Sequence, residues 1–280
     1  MQLKTIVGMA VLACAGQTAL AGYEDALGAH RRGDSKALLR EVREAVENRA
    51  DRGYETLIRE LYISKKASSF EYGSYSEKRA ALDLLAAAAS DGPAQAQYEM
   101  GALKGIFRGG LDDWAKAATA GHAQAQYEYA LAAGEQGKIS RTEEFDWIER
   151  SAGQGYLSAQ RRMVDIHLQK TLLDYRDVVR ADPRKAFEWV KHIAGRPDLP
   201  LAARSRDISA LAWMYFEGIG VEKNYCESFR LFESLLDGGH EAEGENGLWR
   251  FYRDGLCVSA DAEKAELYLQ RTRKRNPPVS

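Results

Sequence analysis

The chain has 280 residues, 45% hydrophobic and 29% charged, the balance of a folded globular protein. Its 39 Lys and Arg against 41 Asp and Glu leave a formal charge of -2, which excludes a binder held to nucleic acid by phosphate neutralisation. The 6 prolines and the lack of low-complexity tracts exclude a disordered or collagen-like chain, and 3 cysteines are too few for a small disulfide-stapled scaffold.

The first predicted element is an export signal over residues 1–21. Lys4 supplies the positive end, Ile6 to Gly16 is a short apolar run, and Ala19 and Ala21 form a small-x-small cleavage pattern, with Gly22 as the mature start. The run is too short for a bilayer, which takes about 20 apolar residues. No other segment reaches that length, so no transmembrane segment is expected in the mature chain. Val11-Leu12-Ala13-Cys14 loosely resembles a lipobox, in which Cys14 would carry lipid. Export puts the chain outside the cytoplasm, and so short a signal suits a bacterial periplasm.

Residues 22–53 read as a charged amphipathic helical cap, and residues 54–273 as internal repeats. Gly92-Pro93-Ala94-Gln95-Ala96-Gln97-Tyr98-Glu99-Met100 recurs 29 residues later as Gly121-His122-Ala123-Gln124-Ala125-Gln126-Tyr127-Glu128-Tyr129, and Gly155-Tyr156-Leu157-Ser158-Ala159-Gln160 follows 34 further on. Farther along, Asp182 to Trp189 aligns with Asp261 to Tyr268, with a weaker copy from Asn224 to Leu231. The runs Tyr215 to Val221 and Tyr252 to Val258 precede the last two. Each unit reads as a helix, a Gly-containing turn, a second helix opened by an Asp or Asn cap, and a closing Gly. About six units are expected: 54–92, 93–121, 122–155, 156–197, 205–239 and 240–273, with an irregular connector around Pro197 to Leu201 and a frayed tail at 274–280. Ala96, Gly101, Ala125, Ala130 and Ala159 are placed for close helix pairs, and Trp114, Trp147 and Trp189 for the core. One hairpin cannot bury its apolar face alone, whereas stacked neighbours can.

The Ala-Gln helix, the Tyr-x-x-Gly-x-Gly-Val turn and the Asp-x-x-Lys-Ala helix together resemble the Sel1-like repeat, a relative of the tetratricopeptide repeat. That resemblance implies an all-α fold, a right-handed superhelical solenoid of antiparallel helix pairs. It also implies a protein–protein interaction scaffold without catalysis or cofactor. Exported members of the family include periplasmic immunity proteins that neutralise secreted toxins, such as phospholipase effectors of type VI secretion, which is the expectation for this chain. The alternatives are an envelope scaffold or assembly lipoprotein, and a β-lactam-binding hydrolase of the kind proposed for cysteine-rich members.

The residues themselves show little chemistry. There is no Gly-x-Ser-x-Gly elbow and no phosphate loop, and Gly218-Ile219-Gly220 reads as a turn. None of the five His has metal-ligand spacing with another His or Cys, and His122 and His240 read as linkers. Adjacent carboxylates such as Glu143-Glu144 and Asp112-Asp113 point apart on a helix and suit solvated faces. Cys226 and Cys257 fall at neighbouring turn ends of stacked units, where either a disulfide or two free thiols fits; the cysteine-rich members pair Cys within one unit instead. Tyr98, Glu99, Tyr127, Glu128, Arg161 and Arg162 lie on first helices, which line the concave face in similar solenoids, and are the candidate residues for a protein partner.

Overall fold

The structure, a computed structural model, describes residues 25–26, 28–29, 32, 34–47, 94–105, 109–170 and 175–275. The expected signal with Cys14, Ala19, Ala21 and Gly22, the expected repeat unit 54–92 and residues 276–280 lie outside them. Eleven helices are delimited among the described residues, and no strand occurs there. The chain divides into two compact units, residues 1–140 and 141–280, and the division falls inside the expected repeat 122–155.

The first unit holds α1 (Ser35–Glu47), α2 (Ala94–Lys104), α3 (Gly110–Thr119) and α4 (Ala123–Glu135). Asp34 starts α1 by accepting a hydrogen bond from the Ala37 amide through its carboxylate. The small residues of the repeat are buried: Ala96, Ala125 and Ala130 are sealed between helices. Gly101 lies under the Trp114 ring, and Gly110 meets the Gly101 carbonyl so closely that a Cβ on either would collide. The Trp114 indole donates to the Tyr98 carbonyl (3.2 Å), joining α3 to α2.

The second unit runs α5 (Arg141–Gly153), α6 (Leu157–His167), α7 (Pro183–Ala194), α8 (Leu201–Glu217), α9 (Tyr225–Asp237), α10 (Glu241–Asp254) and α11 (Ala262–Arg275), each packed on the next. The side chains of Asp182, Asn224 and Asp261 cap α7, α9 and α11. The connector ends earlier than expected: Pro200, fixed at φ -62°, is the N-cap of α8, so that helix starts at Leu201. The last two helix pairs repeat with a period of 37 residues. The Asn224 amide donates to the Tyr215 carbonyl and the Asp261 amide to the Tyr252 carbonyl, and the left-handed caps Gly218 and Gly255 obey the same spacing. One core runs through these pairs, built on Phe187, Leu211, Phe229, Phe232, Leu235, Leu248 and Phe251.

Two further expectations are corrected. Trp114, Trp147 and Trp189 are half-buried, because the small residues of the repeat leave the interior to Leu, Ile, Met and Phe while the indoles lie at its edge. The segment expected to fray is helical through Arg275, because Arg271 and Arg275 both bind the Glu245 carboxylate, which is 0% exposed, and Arg275 also pairs with Glu241 (2.8 Å).

Candidate protein-binding surface

In the first unit, Tyr98 lies in a stack of rings, 6.5 Å from Trp114 and 4.8 Å from His122, with interplanar angles of 19° and 13°. His122, read from the sequence as a linker, is the N-cap of α4. Its Nδ1 accepts from the Ala125 amide (3.1 Å) and its Nε2 meets Gln95 Oε1 (2.8 Å). Gln95 in turn donates to Glu99, which is 4% exposed and so held inside the unit. Tyr127 and Glu128 are half-buried on α4, and burial raises the pKa of Glu128.

Arg161 and Arg162 belong to the second unit. The Arg161 guanidinium grips both carboxylate oxygens of Asp207 (2.5 and 3.1 Å) and the Ala203 carbonyl (2.6 Å), tying α6 to α8. Arg162 lies beside Tyr175, which stands in the long α6–α7 connection. The Tyr175 hydroxyl donates to Glu144, a carboxylate with 0% exposure that also binds Arg141. Burial, and then that hydrogen bond, push the Tyr175 pKa up to about 12. These arginines therefore hold repeats and a loop together, which the sequence pattern did not disclose.

Among the described residues, the densest surface group of rings and guanidinium lies elsewhere, on α8 and α10. Arg250 sits over the rings of Trp213 (4.9 Å), Trp249 (5.3 Å) and Phe216 (5.7 Å), and Arg253 sits over Trp249 (4.8 Å). Glu217 steadies Arg250 at 3.5 Å. Trp213, Trp249 and Arg250 are half-buried and Arg253 is exposed. Stacking on the rings fixes each guanidinium, with Glu217 beside Arg250 and Asp254 accepting from Arg253 (2.6 and 2.7 Å). Trp and Arg presented this way are the residue types that dominate protein-binding hot spots. A groove of about 710 Å³ continues from Trp249 between α10 and α11, past Tyr252, Ala265 and Leu269 to Arg273.

Solved structures that resemble the chain include a protective antigen of uropathogenic Escherichia coli displaying an SLR fold, with a TM-score of 0.61 and 18% identity over 90% of this chain and 56% of that one. A Sel1 repeat protein from Oxalobacter formigenes has a TM-score of 0.58 and 20% identity over 80% of this chain and 86% of that one. The fold is that of the Sel1-like repeat, the SLR. The chain spans little more than half the length of the Escherichia coli antigen. No protein-family model matches it, and no curated protein is similar to it in sequence.

The SLR stack brings the two turn-end cysteines together. Cys226 and Cys257, both exposed, are joined in the structure, with Cα atoms 5.0 Å apart. Cys226 is near the start of α9, and Cys257 holds the second Gly position of the next SLR turn at φ 63°. Among the described residues no group of three His, Cys, Asp or Glu converges as a metal ion would need. No helix among them is long and apolar enough to cross a membrane.

Proposed function

We propose that the chain is an exported, non-catalytic protein-binding solenoid of the periplasm. The observation that carries the binding role is the face of Trp213, Trp249, Arg250 and Arg253, a set of rings and stacked guanidiniums on the first helices of successive repeats. Export is supported by Lys4, the apolar run and Ala19-x-Ala21. Within this reading the partner is a secreted toxin, such as a phospholipase effector of type VI secretion, and the chain is its immunity protein. An export leader followed by little but repeats fits a protein whose whole task is to occupy another.

The test is affinity capture from the envelope fraction with the tagged full chain, beside a Trp249→Ala, Arg250→Ala variant of unchanged melting temperature. A partner retained by the natural chain and lost by the variant is expected. Equal capture by both would remove this face from the binding role. The immunity role requires in addition that the purified mature chain inhibits the toxin encoded beside it; full toxin activity in its presence would end that reading. A scaffold lipoprotein is the second reading, favoured by the lipobox-like residues ahead of Cys14. It requires palmitate labelling that disappears in Cys14→Ala.

A further inference from the structure

The groove between α10 and α11 has a counterpart one repeat earlier, where the structure shows what fills it. The register of 37 residues carries Tyr215 to Tyr252 and Asn224 to Asp261. It likewise carries Ala212 to Trp249, Phe216 to Arg253, Ser228 to Ala265, Phe232 to Leu269 and Leu236 to Arg273. The earlier set lies between α8 and α9, and a helix covers it. Gly244 of α10 meets the backbone of Phe232 and Leu236, Gly247 lies on the Phe232 ring, and Phe251 packs edge-on to Phe216 (5.3 Å) and Phe229 (5.4 Å). The later set lines the groove beside α11, and in the α11 helix its members fall at 262, 265, 266, 269 and 273, the spacing of a single helix face.

The two grooves differ in charge. Where Phe216 and Leu236 stood, the later one has Arg253 and Arg273, and Glu266 is the only carboxylate in its lining. Arg253 has a carboxylate already, in Asp254 (2.6 and 2.7 Å). Arg273 forms no ion pair among the described residues, and it holds the place that Leu236 takes against Gly244, near the start of the covering helix. Carboxylates suit that end of a helix in any case, since its dipole is positive there. The covering helix α10 has them, with Glu241 and Glu243 in its first turn.

We propose that the groove between α10 and α11 is an open stacking site that takes a helix of a protein partner. That helix presents two small residues three apart, an aromatic four further on, and carboxylates in its first turn. The small residues let its backbone close on Leu269 and Arg273, the aromatic ring lies between the Arg253 guanidinium and Glu266, where Phe216 and Phe229 flank Phe251 one repeat earlier, and the carboxylates meet Arg273. This assigns a segment type to the partner and so rests on the reading of the chain as a protein binder. Its probe is synthetic, so a failure here would leave the envelope capture standing, and the reverse.

The probe is a stapled, fluorescein-labelled peptide with the 14-residue sequence of Glu241–Asp254, titrated into the full mature chain and followed by anisotropy. Saturable binding with a Kd below about 1 mM is expected. Leu269→Asp should weaken it about tenfold or more, Arg273→Glu severalfold, and Leu267→Ala, which trims the 44% exposed Leu267 outside the groove lining, not at all. A peptide with Lys in place of its first-turn Glu residues should regain affinity for Arg273→Glu. No saturation, or equal binding by all variants, would show the groove to be only the polar face of a capping repeat. Self-association of the chain that Leu269→Asp abolishes would make the occupant a second copy, and would equally overturn the proposal.

Discussion

Cys257 lies with its Cα 5.0 Å from that of Cys226, across the joint between the last two helix pairs. One repeat earlier the same joint is made by Gly220, whose missing side chain lets the turn rest on the carbonyl of Pro183. The SLR turn thus comes into close backbone approach with the start of the preceding second helix at both joints. At the second, a covalent bond takes the place of the bare glycine contact.

Loss of this bond is expected to loosen α11 in particular. The cysteines are 31 residues apart, and a loop of that size is worth about 3.7 kcal/mol in the chain-entropy treatment. A Cys226→Ser, Cys257→Ser chain should melt lower by that amount and be cut by trypsin first within α10 and α11. Cys257 holds φ 63°, a left-handed conformation costing a side-chain residue about 1 kcal/mol, so Cys226→Ser with Cys257→Gly should recover about that much. Non-reducing peptide mapping of the exported protein reads the bond directly. A free-thiol pair in that material would rule it out.

Gly220 and Gly239 separate conformation from packing. Both have positive φ, 73° and 79°, but nothing lies within 4 Å of a Cβ at Gly239, whereas one at Gly220 meets the Pro183 backbone. Gly239→Ala is expected to cost about 1 kcal/mol, the left-handed penalty alone. Gly220→Ala should cost about 3 kcal/mol, since the turn must also move off α7. Urea melts of the two variants compare them, and equal costs would show that the joint yields easily.

The repeat was legible because its packing is local and leaves a spaced mark: Ala96, Ala125 and Ala159 stand where helices touch, and Asp182, Asn224 and Asp261 where helices begin. The face of Trp213, Trp249 and Arg250 was not legible for the opposite reason. Arg250 holds in its repeat the place that Trp213 holds in the one before, so no motif is repeated. The stack of guanidinium on ring appears only when equivalent positions of adjacent repeats are brought face to face. The ion pair of Arg161 was hidden in the same way, since its partner Asp207 lies 46 residues ahead on the next first helix.

That ion pair makes a testable distinction between holding and binding. Asp207 is buried with its carboxylate on Arg161, so Arg161→Ala strands a carboxylate and should cost about 2 kcal/mol. Adding Asp207→Ala should return part of it, with a coupling energy of about 1 kcal/mol. Partner capture should follow stability in both variants. Capture lost in Arg161→Ala and still lost in the double variant of restored stability would instead place Arg161 in the partner interface.

Acidification should release α4 through His122. Its Nδ1 must be unprotonated to accept from the Ala125 amide, so the ring is neutral with its proton on Nε2, shared with Gln95. Burial lowers its pKa below the ordinary 6.5, and the unfolded chain therefore binds this proton first. The cap's contribution is fully present above pH of about 6.5 and is lost as the pH falls through the lower folded value. His167 in the second unit, also lowered chiefly by burial, acts with the same sign, so a melt of the whole chain sums both. Imidazole NMR isolates His122, which should titrate below 6.5. Replacement by Asn, which caps without titrating, should remove its share of the pH dependence while keeping α4. A His122 ring that titrates above 6.5 would mean that the folded chain holds the cation, stabilised by the stack on Tyr98, with Nδ1 protonated and no longer capping α4.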